Sequence, residues 1–169
     1  AFVAGEPFAV LLPDDLILAA PGCLAQMMDA YGEVGGNIAA VEDVPREQTN
    51  RYGILDVVED DGRLARAQGL VEKPDPDDAP STLSIIGRYI LEPAVMDHLD
   101  KQETGAGGEI QLTDAMAATL DTVSFHGLRF AGRRFDCGSK LGFVEANIAF
   151  ALDRDDLGVE VRDMLGRYV

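Results

Sequence analysis

Residues 8–15 read FAVLLPDD, and the fold turns on how this stretch is taken. The unbroken apolar run from Phe8 to Leu12 has the length and composition of a strand buried on both faces, as in the middle of a parallel sheet. Pro13 has no N–H for a sheet ladder, so the strand is expected to stop there. Asp14 and Asp15 follow at once. In open α/β sheets ligands bind just beyond the carboxyl ends of the strands, and an acid in that place suits a hard cation such as Mg²⁺. Asp is also a common turn former, so solvated turn residues are the alternative at this point.

Working outward, the 169 residues are enough for one domain with a sizeable core, and 47% hydrophobic residues make the composition globular. Thirty acids against 14 bases give a net charge of −16, which disfavours nucleic acid and anionic membrane surfaces as partners. Cys23 and Cys137 are the only cysteines, without zinc or disulfide-framework spacing. A reducing, cytoplasmic setting is therefore expected. No apolar run approaches the roughly 20 residues of a membrane helix, and no signal peptide is evident at the N-terminus. Residues 1–7 lead straight into the first strand, and no GxGxxG or Walker-type loop occurs. The chain is accordingly expected to be a piece of something larger.

After a turn-rich link, residues 23–34 (CLAQMMDAYGEV) carry Leu24, Met27, Met28 and Tyr31 at helical spacing, with both methionines expected in the core and Gly35-Gly36 ending the helix. Residues 37–41 read as a buried strand and 42–52 as a polar loop. Residues 54–58 and 64–71 flank the hairpin signal EDDG, and 82–91 form a further strand. Helices are predicted over 93–101, 110–120, 140–152 and 157–168, with Ser139 as an N-cap and a loop at 102–108. Strand signals lie at 123–130, and residues 135–138 read as a tight turn. Strands alternate with helices around an inserted hairpin, which defines an α/β sheet.

The patterns LPDD (12–15), RYGILD (51–56), VEKP (71–74) and DCGSKLGF (136–143) fall at predicted strand or helix ends, APSTLSIIGRY (79–89) follows VEKP, and GGEIQLTDAM (107–116) opens a helix. In this order they resemble the sugar-phosphate nucleotidyltransferases, and within them the bacterial UTP–glucose-1-phosphate uridylyltransferase family. The resemblance runs from about residue 8 to residue 165. It implies a Rossmann-like, GT-A-like mixed sheet flanked by helices with an inserted β-hairpin. Residues 1–169 would be a single partial domain, bearing the metal and sugar-phosphate side and the C-terminal helices. The implied reaction joins UTP and glucose 1-phosphate, with Mg²⁺, into UDP-glucose and pyrophosphate. The complete protein is expected to be a homo-oligomer acting on small molecules.

The resemblance assigns roles residue by residue. Asp14 matches the family's metal-binding, catalytic acid, and Asp136 a second acid near the same metal. Glu72 matches the sugar-binding carboxylate, which can accept from two adjacent hydroxyls. Lys73 matches the phosphate-contacting, catalytic lysine. Gly53 matches a backbone contact to the sugar, with a plain hairpin glycine as the alternative. Asp15 lies outside the matched position and is expected to be solvated. Glu109, Gln111, Thr113 and Asp114 are expected to be structural, with Thr113 or Asp114 capping a helix. Arg88 stays unassigned, and His98 and His126 are expected at the surface or satisfied.

One departure tempers the match: the family's Gly-rich loop of G-x-G-T-R type, which holds the triphosphate and helps bind the base, has no counterpart in these residues. The isolated chain is therefore expected to be catalytically silent and marginally stable. A different nucleotidyltransferase, such as one making dTDP-glucose, and a silent fragment or binding module stay open as alternatives.

Overall fold

The computed structural model describes residues 5–101 and 110–168. The loop expected at 102–108, and Glu109, lie outside the described residues. The chain divides into two compact units, one of residues 1–11 and 24–130, the other of residues 12–23 and 131–169.

The first unit is built on a mixed sheet. Its strands are β1 (Phe8–Leu11), β3 (Asn37–Asp43), β4 (Gly53–Asp60), β5 (Leu64–Glu72), β6 (Leu83–Leu91) and β7 (Phe125–Arg129), in the order β1-β6-β3-β7-β5-β4. β4 also touches β6 through Ile54 and Ser84, so the sheet curls back on itself. Among the described residues only β3 and β7 run parallel; the other ladders of this sheet are antiparallel. β6 is buried along its whole length, which explains its run of apolar residues. One face of the sheet packs Leu55, Leu83, Tyr89 and Phe125 with Val95 and Met116, the last two from the short helices α2 (Ala94–Leu99) and α3 (Leu112–Ala117). Ile38 and Ala40, one position out of step with Ala39 and Val41, are buried on the opposite face.

Within residues 1–169 the opening strand is not buried on both faces. β1 stands at one end of the strand order, antiparallel to β6, with alternating half-buried and exposed residues. Leu11 is 50% exposed and Leu12 39%. An apolar run without alternation does not say which strand it will join, and the partner here comes from far along the chain.

Helix α1 (Cys23–Val34) has the predicted bounds. Its buried stripe runs through Cys23, Met27 and Ala30, at i, i+4 and i+7. Met28 lies off that stripe and is 63% exposed, so only Met27 fills the core. Residues 42–52 are not a plain loop: β3 extends to Asp43, and a 3₁₀ turn spans Arg46–Arg51. The hairpin forms as its turn chemistry dictates. Asp61 Oδ1 accepts from the N–H groups of Arg63 (2.7 Å) and Leu64 (2.6 Å), and Asp60 Oδ1 from that of Gly62 (2.9 Å).

His126 departs from expectation. It sits on β7 between Ile38 of β3 and Arg66 of β5, 9% exposed, and its Nδ1 has no hydrogen-bond partner among the described residues. Burial, aided by the Arg66 guanidinium and opposed by Glu59, holds its pKa below the usual 6.5. Above that range the ring is neutral whether the chain is folded or not. Below it the unfolded chain takes up a proton that the folded chain resists, so stability falls with pH until the folded ring titrates. His126→Leu should therefore shrink the stability lost between about pH 7.5 and pH 5.5, as read by urea denaturation. An unchanged pH slope would count against it.

The second unit contains β2 (Asp15–Leu18) and β8 (Arg133–Asp136), paired antiparallel, with helices α4 (Lys140–Leu152) and α5 (Gly158–Leu165). Neither strand is among those expected: the residues after Asp15 read as a turn-rich link, and Phe135 and Asp136, read as part of a tight turn, end β8 instead. α4 begins where predicted: Ser139 Oγ accepts from Gly142 N–H at 3.0 Å. Phe135 and Phe150 meet with ring centroids 5.9 Å apart, tying β8 to α4.

Candidate functional site

In the second unit, Pro13 and Asp14 turn the chain into β2, and Asp136 ends β8. The Cys137 N–H donates to the Asp14 carbonyl at 2.7 Å, closing the two segments side by side. Gly138 N–H donates to Asp136 Oδ1 at 3.0 Å. A Cβ at Gly138 would sit 3.1 Å from Asp136 Oδ1 and 3.8 Å from Asp14 Oδ2. The two carboxylates thus converge on a spot that glycine leaves clear. No group of three or more His, Cys, Asp or Glu side chains suited to a metal occurs among the described residues. Two carboxylates with open space before them nevertheless fit a hard cation that takes its remaining oxygens from substrate phosphates and water.

Asp15, expected to be solvated, is buried at 9% exposure. Its Oδ1 accepts from Arg134 Nε at 2.5 Å, and both side chains are about nine-tenths buried. The β2–β8 register sets Asp15 opposite Asp136, with Arg134 two residues back. This ion pair fastens the ribbon that carries the two converging acids. The only sequence hint was an acid at the start of one short strand and RRFD in the other.

In the first unit, Gly53 and Glu72 face each other across β4 and β5. Glu72 has a side chain only 11% exposed. Its Oε2 accepts from Thr113 Oγ1 at 2.7 Å. A Cβ at Gly53 would lie 3.2 Å from both of those oxygens and 3.4 Å from Ile85 Cδ1, so a side chain there would crowd the Glu72–Thr113 pair. Thr113 is not a cap: Gln111 holds the N-cap position of α3 and makes no side-chain cap bond there. Asp114 is exposed, and Arg88, 8% exposed, donates through Nη1 to the Gly87 carbonyl at 2.6 Å.

Lys73 is the one non-glycine residue at positive φ among the described residues, at 46°. Successive strand residues point to opposite faces, so Lys73 could not share a side with Glu72 if β5 continued. The left-handed turn brings its Nζ back to 3.3 Å from Glu72 Oε1, while its N–H donates to the Tyr52 carbonyl at 2.9 Å. A left-handed lysine before a proline is strained by about 1–2 kcal/mol. Lys73→Gly should relieve that strain and stabilise the protein by about 1 kcal/mol while lowering any turnover that uses the ammonium. A fall in thermal midpoint would show that the conformation carries no strain.

Gly53, Glu72 and Lys73 are thus brought together within one unit, and Asp14 and Asp136 within the other. Residues 1–151 match the nucleotidyl transferase family, and the chain belongs to that family. It is 59% identical over 140 residues to UTP–glucose-1-phosphate uridylyltransferase of Komagataeibacter xylinus, covering 83% of this chain and 49% of that protein. A structure of UDP-glucose pyrophosphorylase complexed with UDP-glucose superposes with a TM-score of 0.83 at 37% identity, covering 90% of this chain and 59% of that one. UTP-bound UGPase from Acinetobacter baumannii gives 0.83 at 38% identity, covering 97% and 57%. The fold is therefore the mixed α/β fold of these enzymes, and the chain spans about half the length of the curated relatives it matches. No helix among the described residues is long and apolar enough to cross a membrane.

Proposed function

We propose that the whole protein transfers a uridylyl group from UTP to glucose 1-phosphate, releasing pyrophosphate, and that residues 1–169 contribute part of one nucleotidyltransferase domain. The observation that carries this reading is the 59% identity to a UTP–glucose-1-phosphate uridylyltransferase across 83% of the chain. The geometry of each unit supports it. A phosphate oxygen of the sugar phosphate forms the new bond to the α-phosphorus of UTP, and the bond to the β-phosphate oxygen breaks, its electron pair leaving with pyrophosphate. Nothing covalent is asked of the protein, so positioning and charge decide the rate.

Glu72 would accept hydrogen bonds from neighbouring sugar hydroxyls, with Gly53 leaving its backbone open to the ring. Lys73 would offer its ammonium to the phosphate. Asp14 and Asp136 would hold Mg²⁺, which when bound neutralises phosphate charge. Because the reaction consumes UTP, the cytoplasm is the fitting compartment. The test is pyrophosphate release by the whole protein from UTP and glucose 1-phosphate with Mg²⁺, run beside dTTP. Preference for dTTP would move the reading to thymidylyl transfer, and silence with both would overturn it.

A further inference from the structure

Glu72 is a poor sugar clamp if left to itself, because a glutamate has rotatable bonds that scatter its carboxylate over several directions. Here both of its oxygens are held. Oε2 accepts from Thr113 at 2.7 Å, and Oε1 lies 3.3 Å from Lys73 Nζ. A carboxylate oxygen can accept more than one hydrogen bond, so each oxygen keeps acceptor capacity after these contacts. Thr113 is itself fixed. It is 8% exposed, lies in the first turn of α3, and is followed by Ala115 and Met116, which pack into the core. Its branched side chain has few rotamers to choose among.

Thr119 offers a contrast in the same region. It is 1% exposed, donates to the Met116 carbonyl at 2.7 Å and accepts from Asn37 Nδ2 at 3.0 Å. Its hydroxyl ties backbone to core. Among the described residues, the hydroxyl of Thr113 donates to a carboxylate that a sugar would use.

We propose that Thr113 is a positioning residue for the sugar acceptor: its hydroxyl fixes the Glu72 carboxylate so that the free acceptor sites of the two oxygens face neighbouring hydroxyls of the pyranose. The inference rests on the uridylyl-transfer reading above. The helix α3 then has a task beyond packing, as the mount of that hydroxyl. Thr113→Val keeps the shape and removes the donor. Thr113→Ser keeps the donor and removes a methyl group.

The experiment measures KM for glucose 1-phosphate, KM for UTP, kcat and the thermal midpoint in the whole protein, for the wild type, Thr113→Val, Thr113→Ser and Thr119→Val. A hydrogen bond to a charged group predicts a rise of about tenfold or more in KM for glucose 1-phosphate in Thr113→Val, with KM for UTP unchanged. Thr113→Ser should restore most of it. Thr119→Val should lower the thermal midpoint and leave both KM values alone. An unchanged sugar-phosphate KM in Thr113→Val, or a defect shared equally by both substrates and not restored by serine, overturns the inference while the wild type still turns over. A wild type that does not make UDP-glucose overturns the functional reading itself, and the inference with it.

Discussion

Arg134→Ala should destabilise the protein by about 3–5 kcal/mol, the usual cost of leaving one partner of a buried ion pair behind. Asp15 and Arg134 are bonded at 2.5 Å with side chains 12% and 10% exposed, so water screens them little. In the variant, the Asp15 carboxylate stays in that setting without its guanidinium. The pair need not be strongly stabilising as a whole, because both charges lose hydration on burial. The double replacement Asp15→Leu with Arg134→Met should therefore recover most of the loss. Arg154 and Asp156, bonded at 2.7 Å but mostly exposed, supply the control, and Arg154→Ala should leave the urea midpoint unmoved. Equal midpoints for Arg134→Ala and the wild type would mean that the pair holds nothing. The effect should extend to function, since the β2–β8 ribbon places Asp15 opposite Asp136.

Asp14→Asn and Asp136→Asn should each lower kcat of the whole protein by about 100- to 1000-fold, the range seen when a preorganised charge-stabilising group is removed from a reaction site. The amide keeps the shape and removes the charge. The Mg²⁺ concentration needed for half-maximal rate should rise in both, because Mg²⁺ binds through few protein carboxylates and each counts heavily. The reason to couple the two acids is local: both point at the space where a Gly138 Cβ would stand. Neither replacement should move the thermal midpoint as Arg134→Ala does. Rates and Mg²⁺ dependence like those of the wild type would remove both residues from the metal site proposed for them.

What the sequence determined by itself is what neighbouring residues settle among themselves. The apolar spacing in residues 23–34 is enough for α1, because a helix satisfies its own backbone and needs only one buried stripe. Ser139 and the residues after it suffice for the start of α4, since the cap bond to Gly142 spans one turn. Asp60, Asp61 and Gly62 close their hairpin through their own side chains and backbone. The motifs around Gly53, Glu72, Lys73, Asp14 and Asp136 are short contiguous patterns, so they stand out in the sequence whatever roles their residues prove to hold.

Tertiary structure decided the rest. Phe8–Leu11 carries no local record of its partner, and its antiparallel pairing with β6 is a tertiary fact. Lys73 shares a side with Glu72 because its backbone turns left-handed at the end of β5, stitched to Tyr52. Asp15 found its cation 119 residues away, and Glu72 its hydroxyl 41 residues away. A carboxylate in a turn reads as solvated until the fold removes the water from it. No local pattern records that removal, because burial is a property of what the distant chain brings alongside.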